Sequence, residues 1–327
     1  MILEVQGLGK RFPLNRHSAV VALEDISFSL APGESLGLVG ESGCGKTTLS
    51  RIIARLADPT AGSIRFEGEE IASTAAARFA RHRARGAIQL VFQDATDSLN
   101  PRFTAADSIA EPLRRLRGMS GNALATRVEE CAALTGLPAE LLSRYPHQLS
   151  GGQKARIGIA RAIAPGPRLL ILDEPTSALD VSVQAVVLQL LAELRARLNL
   201  TYLFVSHDIN VVRLLCDRVM VMYLGRIAEI GLAAQVLDAP RHPYTAALAA
   251  AVPDGTRRQA APPAGEPMSP IDPPPNLCRY ASRCPRVQRL CRTQYPPLHD
   301  GVACHFPHEA APSSGVESPG LTPSAPE

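Results

Sequence analysis

Eight consecutive residues, Gly40-Glu41-Ser42-Gly43-Cys44-Gly45-Lys46-Thr47, fit the pattern G-x-x-x-x-G-K-[ST]. They follow an apolar run, Ser35-Leu36-Gly37-Leu38-Val39, and open a stretch with helical character from Lys46 through Leu56. A buried strand, a glycine-rich turn and a helix start are what a bound phosphate requires. Glycines such as Gly40, Gly43 and Gly45 let successive backbone N–H groups curl around the anion, and the helix N-terminus adds its positive dipole end. Ser42 and Cys44 extend the same backbone cradle. Lys46 is expected to neutralise the β- and γ-phosphates of a nucleotide, Thr47 to ligate Mg²⁺ through its hydroxyl, and Thr48 to reach the α-phosphate. The Cys44 thiol beside Lys46 is open to two readings, a reactive group or a small residue tolerated in the turn.

Two further segments complete the chemistry. Leu169-Leu170-Ile171-Leu172-Asp173-Glu174-Pro175 is an apolar strand ending in two carboxylates. Alone it would read as a strand end or helix cap. Downstream of a phosphate loop, Asp173 suits a Mg²⁺ contact and Glu174 a general base that polarises the attacking water. Leu149-Ser150-Gly151-Gly152-Gln153 precedes the amphipathic run Gln153–Ala164, which makes a second helix N-terminus able to hold an anion. One nucleotide does not need two cradles. A head-to-tail dimer does, because this loop can close over the γ-phosphate bound to the facing subunit.

These groups need a scaffold that brings them together. From Met1 to about Gly231 short apolar runs alternate with amphipathic ones, the pattern of an α/β domain. Ile88–Phe92, Leu169–Leu172, Tyr202–Val205 and Arg218–Tyr223 are strand candidates alongside Ser35–Val39. Between Asp94 and Leu149 no strand is expected, and Ala125–Thr135 reads as a helix closed by Gly136 and Pro138. That stretch is an inserted helical subdomain, at about 94–165. Beyond it, Ala260–Pro275 is Pro-rich, a linker or extended arm, and Ala310–Glu327 is expected to be a disordered tail.

Bulk composition narrows the function classes. Among 327 residues, Lys+Arg 34 against Asp+Glu 31 leaves a net charge of +3, which gives no case for a nucleic-acid partner. No apolar run reaches the roughly 20 residues needed to span a bilayer. The start, Met1-Ile2-Leu3-Glu4-Val5, lacks the features of a signal peptide. A soluble intracellular chain is therefore expected, with any membrane association supplied by a partner. Of the cysteines, Cys44, Cys131 and Cys216 are scattered whereas Cys278, Cys284, Cys291 and Cys304 crowd the C-terminal part, which suggests metal or redox chemistry rather than a disulfide framework. Four thiolates suit an iron–sulfur cluster or zinc, spacing does not distinguish the two, and four reduced cysteines without metal are the alternative.

With Ser177-Ala178-Leu179-Asp180 added, the motifs together resemble the nucleotide-binding subunit of an ATP-binding cassette (ABC) transporter, from the N-terminus to about Pro307. The resemblance implies a P-loop NTPase cassette of α/β class: a RecA-like core, an antiparallel β subdomain, the inserted helical subdomain and a small Cys-containing C-terminal extension. The implied boundaries are 1–231 for the ATPase domain, 232–309 for the extension and 310–327 for the tail. By the same likeness Gln93 senses Mg²⁺ and the γ-phosphate, His207 is the switch histidine, Asp180 links the two sites of the dimer, and Phe12 stacks on adenine. A lone His is otherwise a structural hydrogen-bonder, and a Phe near an N-terminal strand otherwise core.

Phe92-Gln93-Asp94 with Ser98-Leu99-Asn100-Pro101-Arg102 resembles the segment found in peptide and nickel importers. Pro240-Arg241-His242-Pro243-Tyr244-Thr245 resembles the element that opens the extension of oligopeptide- and dipeptide-type ATPases. The extension continues through Cys278, Arg283-Cys284-Pro285, Cys291 and Cys304-His305, and in some such relatives four cysteines hold a [4Fe–4S] cluster; His299 and His305 are alternative ligands or surface residues. What the likeness implies is an ATP-hydrolysing importer subunit for dipeptides or oligopeptides, with nickel or another metal chelate as the alternative cargo. Implied partners are a second, different ABC ATPase subunit, two transmembrane permease subunits and an extracytoplasmic solute-binding protein, with the chain peripheral on the cytoplasmic face of the inner membrane. A soluble ABC ATPase of DNA repair or translation is disfavoured by the single cassette and short insertion, and a non-enzymatic cassette by the intact Glu174 and His207.

Overall fold

A computed structural model describes residues 1–93, 98–251 and 265–309. The expected start of the helical insertion near residue 94, residues 260–264 of the Pro-rich stretch and the tail 310–327 lie outside the described residues.

Two sheets form the scaffold. A six-stranded sheet runs in the order β10-β9-β3-β8-β7-β6, built from β3 (Ser35–Val39), β6 (Ile88–Val91), β7 (Leu169–Asp173), β8 (Thr201–Val205), β9 (Arg218–Tyr223) and β10 (Arg226–Leu232). All pairs are parallel except β9–β10. Its central strands read as continuous apolar runs because both faces are covered. Side chains alternate between the two faces: Leu169 and Ile171 enter one core, Leu170 and Leu172 the other. The helices Val181–Leu198 and Ile209–Leu215 pack the second face, whereas Lys46–Ile53 lies on the first, between this sheet and the other one.

That other sheet is antiparallel, in the order β2-β1-β4-β5, from β1 (Leu3–Pro13), β2 (Ala19–Leu30), β4 (Ala61–Phe66) and β5 (Glu69–Glu70). Leu3, Val5 and Leu8 of β1 share one core with Leu36 and Leu38 of β3, so the two sheets are one body. The insertion contains Ala105–Arg117, Gly121–Leu134 and Gly151–Ile163 around a core of their own that includes Ile109, Cys131 and Ile157. The first of these helices was not expected from the sequence. It starts on a capping box in which the Thr104 hydroxyl accepts from the Asp107 N–H, and it stops at Gly118, whose φ of 64 favours glycine. The second begins four residues before the expected Ala125, and the helix after the phosphate loop ends at Ile53 rather than Leu56.

Beyond β10 the chain packs back onto both sheets. After the short helices Ala233–Asp238 and Pro243–Ala250, Ile271 bridges Val20 at the free edge of β2, and Val302 bridges Glu229 on β10. Asp272 fastens the first contact, accepting from the Ala19 N–H at 3.1 Å and pairing with Arg11 at 3.2 Å. Ala303 N–H donates to Ala228 C=O at 2.8 Å at the second. Each bridge pairs backbone groups on a short stretch of an outer strand edge, where unpaired groups would otherwise face solvent.

Candidate active site

Parallel strands place all their C-terminal ends on one edge of a sheet, and the loops leaving β3, β6, β7 and β8 meet there. They border a cleft of about 510 Å³. Ser42, Gly43, Gly45, Lys46, Thr47 and Thr48 form its phosphate-loop wall, and Gln93, Glu174 and His207 stand opposite. Phe12 lies at the third side, 43% exposed, so it is not a core residue; the Lys10 ammonium sits 5.0 Å from its ring centre. Val20, Val21, Ala22 and Pro270 complete that wall. No local signal in the sequence marks these four, because the pairing of β1 with β2 and the return of the extension bring them in.

Gly40, Cys44 and Asp173 do not border the cleft; Gly40 and Cys44 shape the loop from behind it. Gly40 has a φ of 153, and a Cβ there would stand 2.2 Å from the Met222 carbonyl oxygen. Gly45, at φ 105, would bring a Cβ to 2.5 Å from the Ala22 oxygen. Only glycine fits at either position. Lys46 Nζ turns back into the loop, donating to the carbonyls of Gly40 at 2.7 Å and Glu41 at 3.1 Å, with Cys44 Sγ 3.9 Å away. Cys44 is 2% exposed, and burial pushes its thiol up despite Lys46. The reactive-thiol reading is thereby corrected: the side chain is packing, and its backbone serves the loop.

Glu174 is the hub opposite. Its Oε2 accepts from Gln93 Nε2 at 3.0 Å and lies 3.2 Å from His207 Nδ1. Its backbone is left-handed, with φ 49, a conformation a β-carbon disfavours. Such strain is concentrated at functional sites. The Glu174 N–H donates to the Val205 carbonyl at 3.0 Å, which locks the β7–β8 corner in place. Asp173 is buried next to it and contacts the Thr47 hydroxyl at 3.5 Å. Burial, then the neighbouring Glu174 charge, raises its carboxyl, with Arg51, Thr47 and Lys46 pulling the other way. Thr47 and Asp173 thus form an oxygen pair suited to a hard cation such as Mg²⁺, whose charge would offset that burial.

Ser150, Gly151, Gly152, Gln153 and Asp180 are not brought to this cleft. Ser150 Oγ accepts from the Gln153 N–H at 3.3 Å while Gln153 Oε1 accepts from the Ser150 N–H at 2.9 Å, a closed capping box at the start of Gly151–Ile163. Gly151 and Gly152 lie against Leu179 and Val183. Asp180 caps the helix Val181–Leu198, accepting from the Val183 N–H at 3.0 Å and the Ser182 hydroxyl at 2.6 Å.

The four clustered cysteines do converge. Cys278, Cys284, Cys291 and Cys304 line one cavity of about 10 Å³ with His305, under His242 and Tyr280. Burial raises the thiols of Cys278 (to about 11), Cys284 and Cys304, and charge on neighbouring cysteines raises them further. Among the described residues no group of three or more His, Cys, Asp or Glu side chains is arranged to hold a single metal ion.

Comparison with known proteins adds the family. Residues 23–177 match the family described as ABC transporter, and residues 228–291 the one described as the oligopeptide/dipeptide transporter C-terminal region. The chain is 44% identical over 316 residues to the oligopeptide transport ATP-binding protein AppF of Bacillus subtilis, covering 93% of this chain and 95% of that protein. It is 41% identical over 317 residues to the di/tripeptide transport ATP-binding protein DppF of Pseudomonas aeruginosa, covering 93% and 97%. Among solved structures, the dimeric post-hydrolysis state of the ATP-binding cassette MJ0796 bound to ADP and Pi matches with a TM-score of 0.64 at 30% identity, over 71% of this chain and 98% of that one. CbiO1 from Clostridium perfringens, part of the ABC transporter complex cbiONQ, matches at 0.63 and 29% identity, over 73% and 91%.

Proposed function

This chain belongs to the ABC transporter ATP-binding proteins, in their oligopeptide/dipeptide branch, and on that premise we propose that it hydrolyses ATP to power peptide import. The observation that carries the catalytic assignment is the convergence of Gln93 and His207 on one oxygen of Glu174, across the cleft from the phosphate loop. AppF and DppF are ATP-binding proteins of oligopeptide and di/tripeptide transport, which favours peptides over nickel or another chelate as cargo.

In the proposed mechanism adenine stacks on Phe12 and the phosphates enter the curl from Gly40 to Thr48, Ser42 and the Cys44 backbone included. Lys46 exchanges the carbonyls of Gly40 and Glu41 for phosphate oxygens. Thr47 and Asp173, with Gln93 from the opposite side of the cleft, would hold Mg²⁺, which supplies charge neutralisation at the phosphates. Glu174 orients a water and takes its proton as the water oxygen bonds to the γ-phosphorus. The bond from that phosphorus to the bridging oxygen breaks, and ADP leaves with the electron pair. His207 steadies Glu174 and the charge that develops on the γ-phosphoryl oxygens. Ser150, Gly151, Gly152 and Gln153 serve the nucleotide of a facing cassette, and Asp180 links the two sites.

The partners that follow are a second, non-identical cassette, two transmembrane permease subunits and an extracytoplasmic solute-binding protein, with this chain peripheral on the cytoplasmic face of the membrane. In support, no helix among the described residues is long and apolar enough to cross a membrane. Of the extension, a [4Fe–4S] cluster on Cys278, Cys284, Cys291 and Cys304 is part of the proposal, supported by all four thiols lining one cavity, which must widen from about 10 Å³ to hold it. An anaerobic preparation without bound iron or visible absorbance overturns it.

Replacing Glu174 with Gln tests the enzyme. The expected variant binds MgATP as wild type does but shows no turnover, because the amide cannot take the proton of the attacking water. Near-normal hydrolysis by it would end the assignment.

A further inference from the structure

The phosphate loop is gripped by residues more than two hundred positions downstream. Glu41, second in the loop, donates its backbone N–H to the Tyr244 hydroxyl at 2.8 Å, a separation of 203 residues. Its carboxylate accepts from Arg283 Nη1 at 2.7 Å, 242 residues away, and the same nitrogen donates to the Tyr223 hydroxyl at 3.3 Å. Its carbonyl, in turn, holds Lys46 Nζ at 3.1 Å. One residue therefore connects the extension to the ammonium that meets phosphate.

These contacts are built, not incidental. Tyr244 is 1% exposed and the Arg283 side chain 8%, so neither has ready access to water as a substitute partner. The Tyr244 ring is fixed between Tyr223 and Tyr280, at centroid distances of 4.6 and 5.4 Å. Its backbone N–H is fixed by His242 Nδ1 at 3.0 Å. A fixed hydroxyl and a buried guanidinium thus orient Glu41 from two sides, within the curl of the loop.

We propose that Tyr244 and Arg283 are positioning residues of the nucleotide site, holding the phosphate loop through Glu41 so that affinity for nucleotide is set partly by the C-terminal extension. The proposal rests on Gly40–Thr48 being that site. It makes the extension a working part of the cleft instead of an appendage.

ADP binding to the full-length chain, measured by calorimetry, tests this. Tyr244→Phe keeps the ring and deletes the acceptor, and Arg283→Met keeps bulk and deletes the charge. Each is expected to weaken ADP by about fivefold to tenfold, the scale of one lost buried hydrogen bond. Arg283→Lys, which retains the charge, is expected to fall between wild type and Arg283→Met, and it answers the question if the latter does not fold. Glu41→Gln combined with Arg283→Met should lose no more affinity than Arg283→Met alone, a non-additivity that general destabilisation does not produce. Affinity within about twofold of wild type in both Tyr244→Phe and Arg283→Met overturns the proposal. Lys46→Ala separates the two levels: if it binds ADP normally, the nucleotide-site assignment has failed, and if it alone loses binding, only the role of Tyr244 and Arg283 has.

Discussion

Glu174 shows what a single residue gives up to serve a site. Its left-handed backbone is a strain that glycine would not feel. Glu174→Gly is expected to melt no lower than wild type, relief of about 1 kcal/mol offsetting the lost contacts to Gln93 and His207, while ATPase activity vanishes. A melting point several degrees below wild type in a calorimetric scan would mean that the contacts outweigh the strain. His242 carries a different residue-scale prediction. Burial, reinforced by His308, holds its imidazole down at about 4, against an ordinary value of 6.5. The native ring stays neutral while the unfolded one takes a proton, so its contribution is complete above about pH 6.5 and drains away toward pH 4, about 3 kcal/mol in all. His242→Asn keeps an oxygen to cap the helix Pro243–Ala250 but cannot titrate. Its melting temperature should fall less than that of wild type between pH 7 and 4.5, and parallel curves would refute the assignment. The sequence displayed the identity of the cleft residues because glycine spacing and the Asp173-Glu174 pair are local. It could not display that the Cys44 thiol is buried, or that Glu41 is answered by Tyr244 and Arg283, since both depend on contacts across the whole chain.

At the scale of elements, the central strands were legible because burial on both faces leaves them as unbroken apolar runs. Val91 closes β6 one residue before the expected end at Phe92, which is half exposed at the mouth of the loop. β1 and β2 were reached only through family likeness. Their pairing shifts register between Val5 and Leu8, between Leu8 and Lys10 and between Lys10 and Arg11, and each irregularity interrupts the period-two alternation that announces a half-buried strand. The helix Ala105–Arg117 was hidden for another reason: Pro112 sits inside it and its last turn is crowded with arginines. Its cap can be weighed directly. Thr104→Ala removes the hydroxyl that accepts from the Asp107 N–H, and should cost about 1 kcal/mol in denaturant unfolding with ADP affinity unchanged. A change in affinity would mean that the insertion reaches the cleft in the isolated chain.

At the scale of the whole molecule, the proposal assigns its two helix starts, at Lys46 and at Gly151, to different nucleotides. Lys46 and its neighbours border the cleft, whereas Ser150 and Gln153 satisfy each other, and Gly151 and Gly152 between them lie against Leu179 and Val183, in the segment after Glu174. Among the described residues, Ser150, Gly151, Gly152 and Gln153 do not border the cleft that Lys46 lines. Ser150→Arg puts a long cation in the loop proposed to close over the γ-phosphate bound to a facing chain, and Ser150 does not border this chain's own cleft. The isolated variant is therefore expected to bind ADP as wild type does, whereas the transporter assembled with its second cassette and permease subunits should lose ATP turnover at the site that Ser150 completes. Lys46→Ala, by contrast, should lose ADP binding in the isolated chain as well. If Ser150→Arg weakens ADP in the isolated chain, the two helix starts share one nucleotide; if the assembled transporter turns over normally with it, Ser150 completes no site. Either result would replace the paired arrangement with a self-contained one, and the capping box of Ser150 and Gln153 would be explained by helix stability alone.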